Sequence, residues 1–173
     1  MISSVTTFFA ISADGTSIAY DCCGEGTAII LLHGGGGCRH EWRQAGYIEH
    51  LQNEFTVITV DLRGHGESGL STEPSDYTTA KMIEDILAVA DACGVEHFAL
   101  CGMSHGGKAG RYLATHSGRV DKFILMSAPL GVGTSSQFRQ EIAEFAAHWR
   151  PILQAQADGM LDISLLSKDD QEF

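Results

Sequence analysis

The sequence predicts an α/β protein built on a doubly wound, mostly parallel β-sheet. Four apolar runs, at residues 28–32, 56–60, 98–101 and 122–126, are nearly continuous instead of alternating with polar residues. Strands covered on both faces require this pattern, which is typical of parallel sheets. Segments with helical spacing separate the runs, and alternating strands and helices favour the doubly wound arrangement.

An antiparallel hairpin is predicted ahead of these strands. Residues 6–12 and 17–23 are strand-like, and the turn between them, 13–16, contains an Asp-Gly pair. Such a pair between two apolar runs is a strong hairpin signal. Because successive side chains of a strand point to opposite faces, Cys22 and Cys23 are expected on different faces of the sheet.

Three helices are predicted between the strands. The clearest covers residues 80–93, where apolar side chains recur at helical spacing and Gly94 is placed to end the helix. Residues 106–116 are expected to form the helix after the third apolar run. A helix is also expected within residues 40–53, where the periodicity is weaker.

The pattern changes after Pro129, where an apolar stripe at helical spacing replaces the strand-like runs. A last helix start, near residue 167, is followed by only a few residues, so we expect a helical segment that is cut short. The expected domains are therefore a core over residues 1–130 and a partial helical segment over 131–173.

Composition limits the classes of partner. The chain has 173 residues, 44% of them hydrophobic, and a net charge of −11, so nucleic-acid binding is not expected. No apolar run reaches the roughly 20 residues that span a bilayer, so no membrane partner is expected. Five cysteines without a C-x-x-C pair, and an N-terminus without the basic region of a signal peptide, favour a cytoplasmic protein.

The motif G-x-S-x-G occupies residues 102–106, between a strand-like run and a helix-like run. A serine at a sharp turn from strand to helix is the setting of a nucleophile elbow. Gly102 and Gly106 are expected to be needed there, because a Cβ at either position would block the close crossing of strand and helix. The motif also arises by chance, so its interpretation depends on the rest of the sequence.

Two further motifs follow two of the predicted strands. His33 and four glycines come directly after residues 28–32, and the sequence Asp-Leu-Arg-Gly-His-Gly-Glu-Ser begins at Asp61, directly after residues 56–60. Open α/β sheets bind their ligands at the carboxyl ends of the strands. Alone, the glycine run would be a flexible loop and Ser104 a helix cap, but three motifs in this order favour a single site.

In this order of motifs the chain resembles the α/β-hydrolase superfamily over approximately residues 6–130, in its lid-bearing branch of esterases, peptidases, haloperoxidase-like and C–C-bond hydrolases. The resemblance implies that residues 131–173 are the start of a helical lid. It also implies that Ser104 is the nucleophile and that the backbone N–H groups of Gly35 and His105 form the oxyanion hole. The loops that support this site would contain the other motif residues, which are His33, Gly34, Asp61, Arg63, Gly102 and Gly106.

The sequence departs from the family in its second half. The family's triad runs Ser, then Asp or Glu, then His, and neither the acid nor the histidine is identifiable after Ser104. His148 is expected to belong to the lid, and His105 to point away from Ser104. His33 and a neutral, buried His65 are expected to brace their loops.

The function expected from the resemblance is hydrolysis of a small-molecule carboxylic ester or related acyl compound, with no cofactor and no metal. Epoxide hydrolases and dehalogenases of the family carry Asp where Ser104 stands, so those activities are less favoured. The 173-residue chain alone is expected to be poorly active. The alternative is a ligand-binding or interaction module of the same fold without catalysis. An unpaired sheet edge at residues 122–126 predicts self-association.

Overall fold

A computed structural model of the chain describes residues 6–127 and the single position 147. The predicted lid helices and His148 lie outside the described residues. The described elements, in chain order, are β1 (Phe8–Ile11), β2 (Ser17–Cys23), β3 (Thr27–Leu32), α1 (Glu41–Gln44), α2 (Tyr47–Leu51), β4 (Phe55–Val60), a 3₁₀ turn (Pro74–Tyr77), α3 (Thr79–Ala92), β5 (Phe98–Met103), α4 (Ser104–His116) and β6 (Val120–Met126).

The six strands form one sheet in the order β1-β2-β4-β3-β5-β6. β2 pairs antiparallel with β1 and with β4. The four neighbouring strands β4, β3, β5 and β6 are parallel to one another. This confirms the predicted hairpin and fold class. The carboxyl ends of β3, β4 and β5 share one edge of the sheet, so the three sequence motifs that follow these strands lie in neighbouring loops.

Both faces of the sheet are covered, which explains the continuous apolar runs. On β3, Ile30 and Leu32 belong to the core that includes α3 and α4, whereas Ile29 and Leu31 belong to the core that includes α1 and α2. Burying each such side chain stabilises the fold by roughly 1.5–3 kcal/mol. Cys22 and Cys23 contact different cores, as predicted.

Two helix predictions are corrected. The helix expected within residues 40–53 is two short helices, because Gly46 adopts a left-handed φ of 79° between α1 and α2. A left-handed glycine commonly ends a helix. α4 begins at Ser104 itself rather than at residue 106, because the elbow serine is already part of its first turn.

β6 is an edge strand of the sheet within residues 6–127, and its Ile124 is 50% exposed. Self-association through this edge stays a prediction. No helix in the described part of the chain is long and apolar enough to cross a bilayer.

Candidate active site

Ser104 lies exposed at the junction of β5 and α4. Its φ of 46° is in the left-handed region, where a residue with a Cβ is strained by roughly 1–3 kcal/mol. Strain of this kind persists where the surrounding structure enforces it and is concentrated at functional sites. Among the described residues, no group bonds to the Ser104 hydroxyl. The junction thus presents an unengaged hydroxyl at the carboxyl edge of the sheet.

Two glycines allow α4 to lie this close to the neighbouring strands β5 and β3. A Cβ on Gly102 would lie 2.7 Å from the carbonyl oxygen of Gly106 and 2.7 Å from the Cα of Gly107. A Cβ on Gly106 would lie 2.7 Å from the Cβ of Leu32, at the end of β3. Real Cβ contacts are essentially never shorter than 3.0 Å, so the predicted need for glycine at both positions is confirmed.

The glycine loop after β3 lies beside the elbow. A Cβ on Gly34 would be 3.6 Å from the Cβ of Ser104, and one on Gly35 would be 3.7 Å from the Cβ of His105. Gly35 is exposed, and no acceptor in the described part of the chain takes its N–H. The N–H of His105 is in the first turn of α4, where a helix offers no backbone acceptor. Within the described residues, neither of these two N–H groups near Ser104 has an acceptor.

His33, the residue before the glycines, is fully buried and joins the loop after β3 to the loop after β4. Its Nδ1 lies 2.6 Å from the carbonyl oxygen of Gly34, and its Nε2 lies 3.0 Å from the backbone nitrogen of Leu62. Because a carbonyl only accepts and a backbone N–H only donates, both contacts are hydrogen bonds only when Nδ1 carries the proton and Nε2 is unprotonated. His33 is therefore neutral in this arrangement, and its Nε2 is occupied.

His65 makes a second bond of the same kind between these loops. Its Nδ1 lies 3.1 Å from the carbonyl oxygen of Arg63, and its Nε2 accepts from the N–H of Gly36 at 3.2 Å. This also requires the neutral ring with the proton on Nδ1. His65 is half-buried, which corrects the expectation of full burial. Neither His33 nor His65 has a free nitrogen with which to take the proton of Ser104.

His105 continues this row of imidazoles. The ring centroids of His33 and His65 are 5.0 Å apart, and those of His65 and His105 are 6.3 Å apart. Burial, aided by the nearby His65, lowers the pKa of His105. No hydrogen bond joins His105 to Ser104 in the described structure.

Asp61 is fully buried within an ion-pair network that the sequence analysis missed. It accepts from the backbone N–H of Arg39 at 2.6 Å and pairs with the Arg39 guanidinium, which also binds Asp21 at 2.9 Å and Glu67 at 2.8 Å. Burial opposes the charge of Arg39, but the bonds to Asp21 and Glu67 outweigh it, so its pKa is raised. One residue could have indicated this network from the sequence: Asp21 is a carboxylate inside a predicted strand, and a buried carboxylate needs a charged partner.

Arg63 points towards α3 rather than towards Ser104. Its guanidinium binds both carboxylate oxygens of Asp85 on α3, at 2.6 and 2.7 Å, and Asp14 in the β1–β2 turn at 3.0 Å. The hydrogen bonds to Asp85 are the main reason that its pKa is raised. The loop after β4 is thus tied to the sheet by Asp61 and to α3 by Arg63.

Comparison with known proteins identifies the family. The family model described as the alpha/beta hydrolase fold matches residues 27–162. The chain belongs to the α/β-hydrolase family. Its described site combines two features of that fold, a serine elbow and a facing glycine loop.

The relatives carry several activities in their names. An AB hydrolase superfamily protein of Bacillus subtilis, YisY, is 42% identical over 107 residues, which are 61% of this chain and 39% of the relative. A fluoroacetate dehalogenase of a Burkholderia species is 30% identical over 133 residues, 73% of this chain and 42% of the relative. A crystal structure of an esterase from a Rhodococcus species matches with a TM-score of 0.67 and 35% identity, over 76% of this chain and 49% of the esterase. The chain thus spans about half or less of the length of these relatives.

Protonation of His33 at low pH is expected to lower the free energy of unfolding of this α/β-hydrolase chain. Burial lowers the pKa of His33 below its ordinary 6.5. Between this lowered pKa and about pH 6.5, His33 is therefore mostly protonated in the unfolded chain but mostly neutral in the folded chain. The stabilisation is therefore complete above about pH 6.5 and is lost as the pH falls through the folded-state pKa. In urea unfolding at several pH values, His33→Gln should flatten the decline of the unfolding free energy below about pH 6.5. His50→Gln, at an exposed position, is the control. Equal slopes in wild type and His33→Gln would contradict this account.

Proposed function

We propose that Ser104 is the nucleophile of a serine hydrolase that acts on carboxylic esters or related acyl compounds. The observation that carries the proposal is the exposed, backbone-strained Ser104 between the unused N–H groups of Gly35 and His105. A serine at the elbow suits acyl transfer, whereas the family's dehalogenases and epoxide hydrolases use a carboxylate there. The esterase among the similar structures is consistent with this choice.

The proposed reaction begins with attack of the Ser104 Oγ on the carbonyl carbon of the substrate. The carbonyl oxygen becomes an oxyanion and accepts hydrogen bonds from the N–H groups of Gly35 and His105, each worth roughly 3–4 kcal/mol in the transition state. The positive end of the α4 dipole favours the same charge. Expulsion of the alcohol leaves an acyl-serine, which water then hydrolyses.

Ser104 needs a base to remove its proton, since a serine hydroxyl is a weak nucleophile at its own pKa. His33 and His65 are unsuitable as this base, because the Nε2 atom of each ring already accepts a hydrogen bond from a backbone N–H group. The proposal therefore takes the base, and the acid that orients it, from outside residues 6–127. The site described here supplies the nucleophile and the oxyanion donors.

A fluorophosphonate probe tests the role of Ser104. We expect slow labelling of the 173-residue chain, located at Ser104 by peptide mapping and abolished by Ser104→Ala, because the hydroxyl is exposed but lacks a base. Ser117→Ala, at the other end of α4, should leave the labelling unchanged. A folded chain that is not labelled at Ser104 would instead favour the ligand-binding alternative.

A further inference from the structure

Two cysteines, Cys22 and Cys93, lie together in the core between the sheet and α3. Cys22 is on the same face of β2 as Ile18 and Tyr20, which are buried in that core. Cys93 is the C-cap residue of α3 and packs against the same core. The buried stripe of α3 consists of Met82, Ile86, Val89 and Ala90, and Cys93 continues it at helical spacing.

Within this core, the thiols of Cys22 and Cys93 and the hydroxyl of Tyr20 are near enough to influence one another's protonation. Both cysteines are half-buried, and both are free thiols. The pair is thus partly open to small reagents.

The pair is separate from the candidate active site. Cys93 lies just before β5 and Ser104 just after it, so the length of a six-residue strand, about 20 Å, lies between them. Neither thiol contacts the three histidines near Ser104 among the described contacts. A role for the pair therefore does not depend on the proposed function.

We propose that Cys22 and Cys93 are a redox-responsive pair that forms an intramolecular disulfide between β2 and α3 on reaction with a low-molecular-weight disulfide such as oxidised glutathione. The Cys22 thiolate attacks the glutathione disulfide, forms a mixed disulfide and releases one glutathione thiolate. The Cys93 thiolate then attacks the Cys22 sulfur and releases the second. The protein loses two protons and two electrons, and one oxidised glutathione becomes two reduced glutathiones.

The surroundings of the two thiols set the order of these steps. The interaction with Cys93 lowers the pKa of Cys22 to about 7, whereas the same interaction, together with burial, raises the pKa of Cys93. Thiolates are the attacking species, so Cys22 reacts first and Cys93 resolves the mixed disulfide. Tyr20, the other titratable group at the pair, stays protonated because burial raises its pKa to about 12.

Cys23 provides a matched control within the same strand. It is adjacent to Cys22 but contacts the opposite core, and burial raises its pKa. With cleavage after glutamate, Cys23→Ser leaves Cys22 as the single cysteine of the peptide that ends at Glu25, and Cys93 is the single cysteine between Glu84 and Glu96, so a disulfide between them can be assigned without ambiguity.

Peptide mapping after oxidation tests the proposal. The Cys23→Ser chain, titrated with oxidised glutathione and then treated with N-ethylmaleimide, should yield a peptide linking Cys22 to Cys93 as its main disulfide product, and the chain should run as a monomer on a non-reducing gel. Cys93→Ala should instead accumulate glutathione on Cys22. Since the disulfide would close a long loop, oxidation should raise the Tm by on the order of 10 °C, but not in Cys22→Ala. Modification of other cysteines while Cys22 and Cys93 stay free, or products that link different chains, would overturn the proposal.

Discussion

Replacement of Arg39 by methionine is expected to lower the free energy of unfolding by about 3–5 kcal/mol, a large loss for a domain of this size. The Arg39 side chain is 1% exposed, and its partners Asp61 and Asp21 are 0% and 7% exposed. Methionine fills similar space without a charge, so both carboxylates would stay buried without their cation. Breaking a buried ion pair from one side is costly for this reason.

Arg43→Met is the matched control for this change. Arg43 follows Arg39 by four residues, but its ion pair with Glu49 is long, at 3.8 Å, and partly exposed. Such a pair contributes about 0–1 kcal/mol. Urea unfolding followed by circular dichroism near neutral pH measures both variants. Losses of similar size would mean that the Arg39 network does not hold the loops after β3 and β4 in place.

The sheet was predictable because its signals are local. Each residue of β3 from Ala28 to Leu32 faces one of the two cores, so the strand is recognisable from its apolar run alone. The break between α1 and α2 was not predictable from the same pattern, because it depends on one left-handed glycine, Gly46, within a weakly periodic segment. Helix boundaries in such segments are decided by backbone conformation rather than by hydrophobic pattern.

The candidate site was predictable in part. Ser104 and the glycine loop belong to sequence motifs that directly follow strands. The parallel topology brings the carboxyl ends of those strands together. The bonds from Arg39 to Asp21 and Asp61, and from His33 to Leu62, were not predictable, because these partners lie 18 to 29 residues away in other elements of the fold. A buried arginine in a glycine-rich loop has no periodic signal, and a histidine tautomer depends on main-chain atoms that only the fold brings near.

A gain of esterase activity on addition of a base is the second large effect expected. Alone, the 173-residue chain should hydrolyse p-nitrophenyl acetate at close to the uncatalysed rate, because no histidine within residues 6–127 is hydrogen-bonded to Ser104 and the sequence predicts no triad histidine among residues 128–173. A chimera would join this chain, through β6, to the part of the Rhodococcus esterase that follows the matched region. A positioned general base contributes typically 10²–10⁴-fold, so the chimera should exceed the chain alone by about that factor.

Initial rates of p-nitrophenyl acetate hydrolysis by the chain, the chimera and the chimera with Ser104→Ala test whether Ser104 is a nucleophile that needs a base from outside residues 6–127. We expect a rate near background for the chain, a rise of about 10²–10⁴-fold for the chimera and complete loss of that rise in the chimera with Ser104→Ala. The donor segment alone, and the chimera with Ser117→Ala, are the controls. Rapid hydrolysis by the chain alone, or chimera activity that survives Ser104→Ala, would contradict the account.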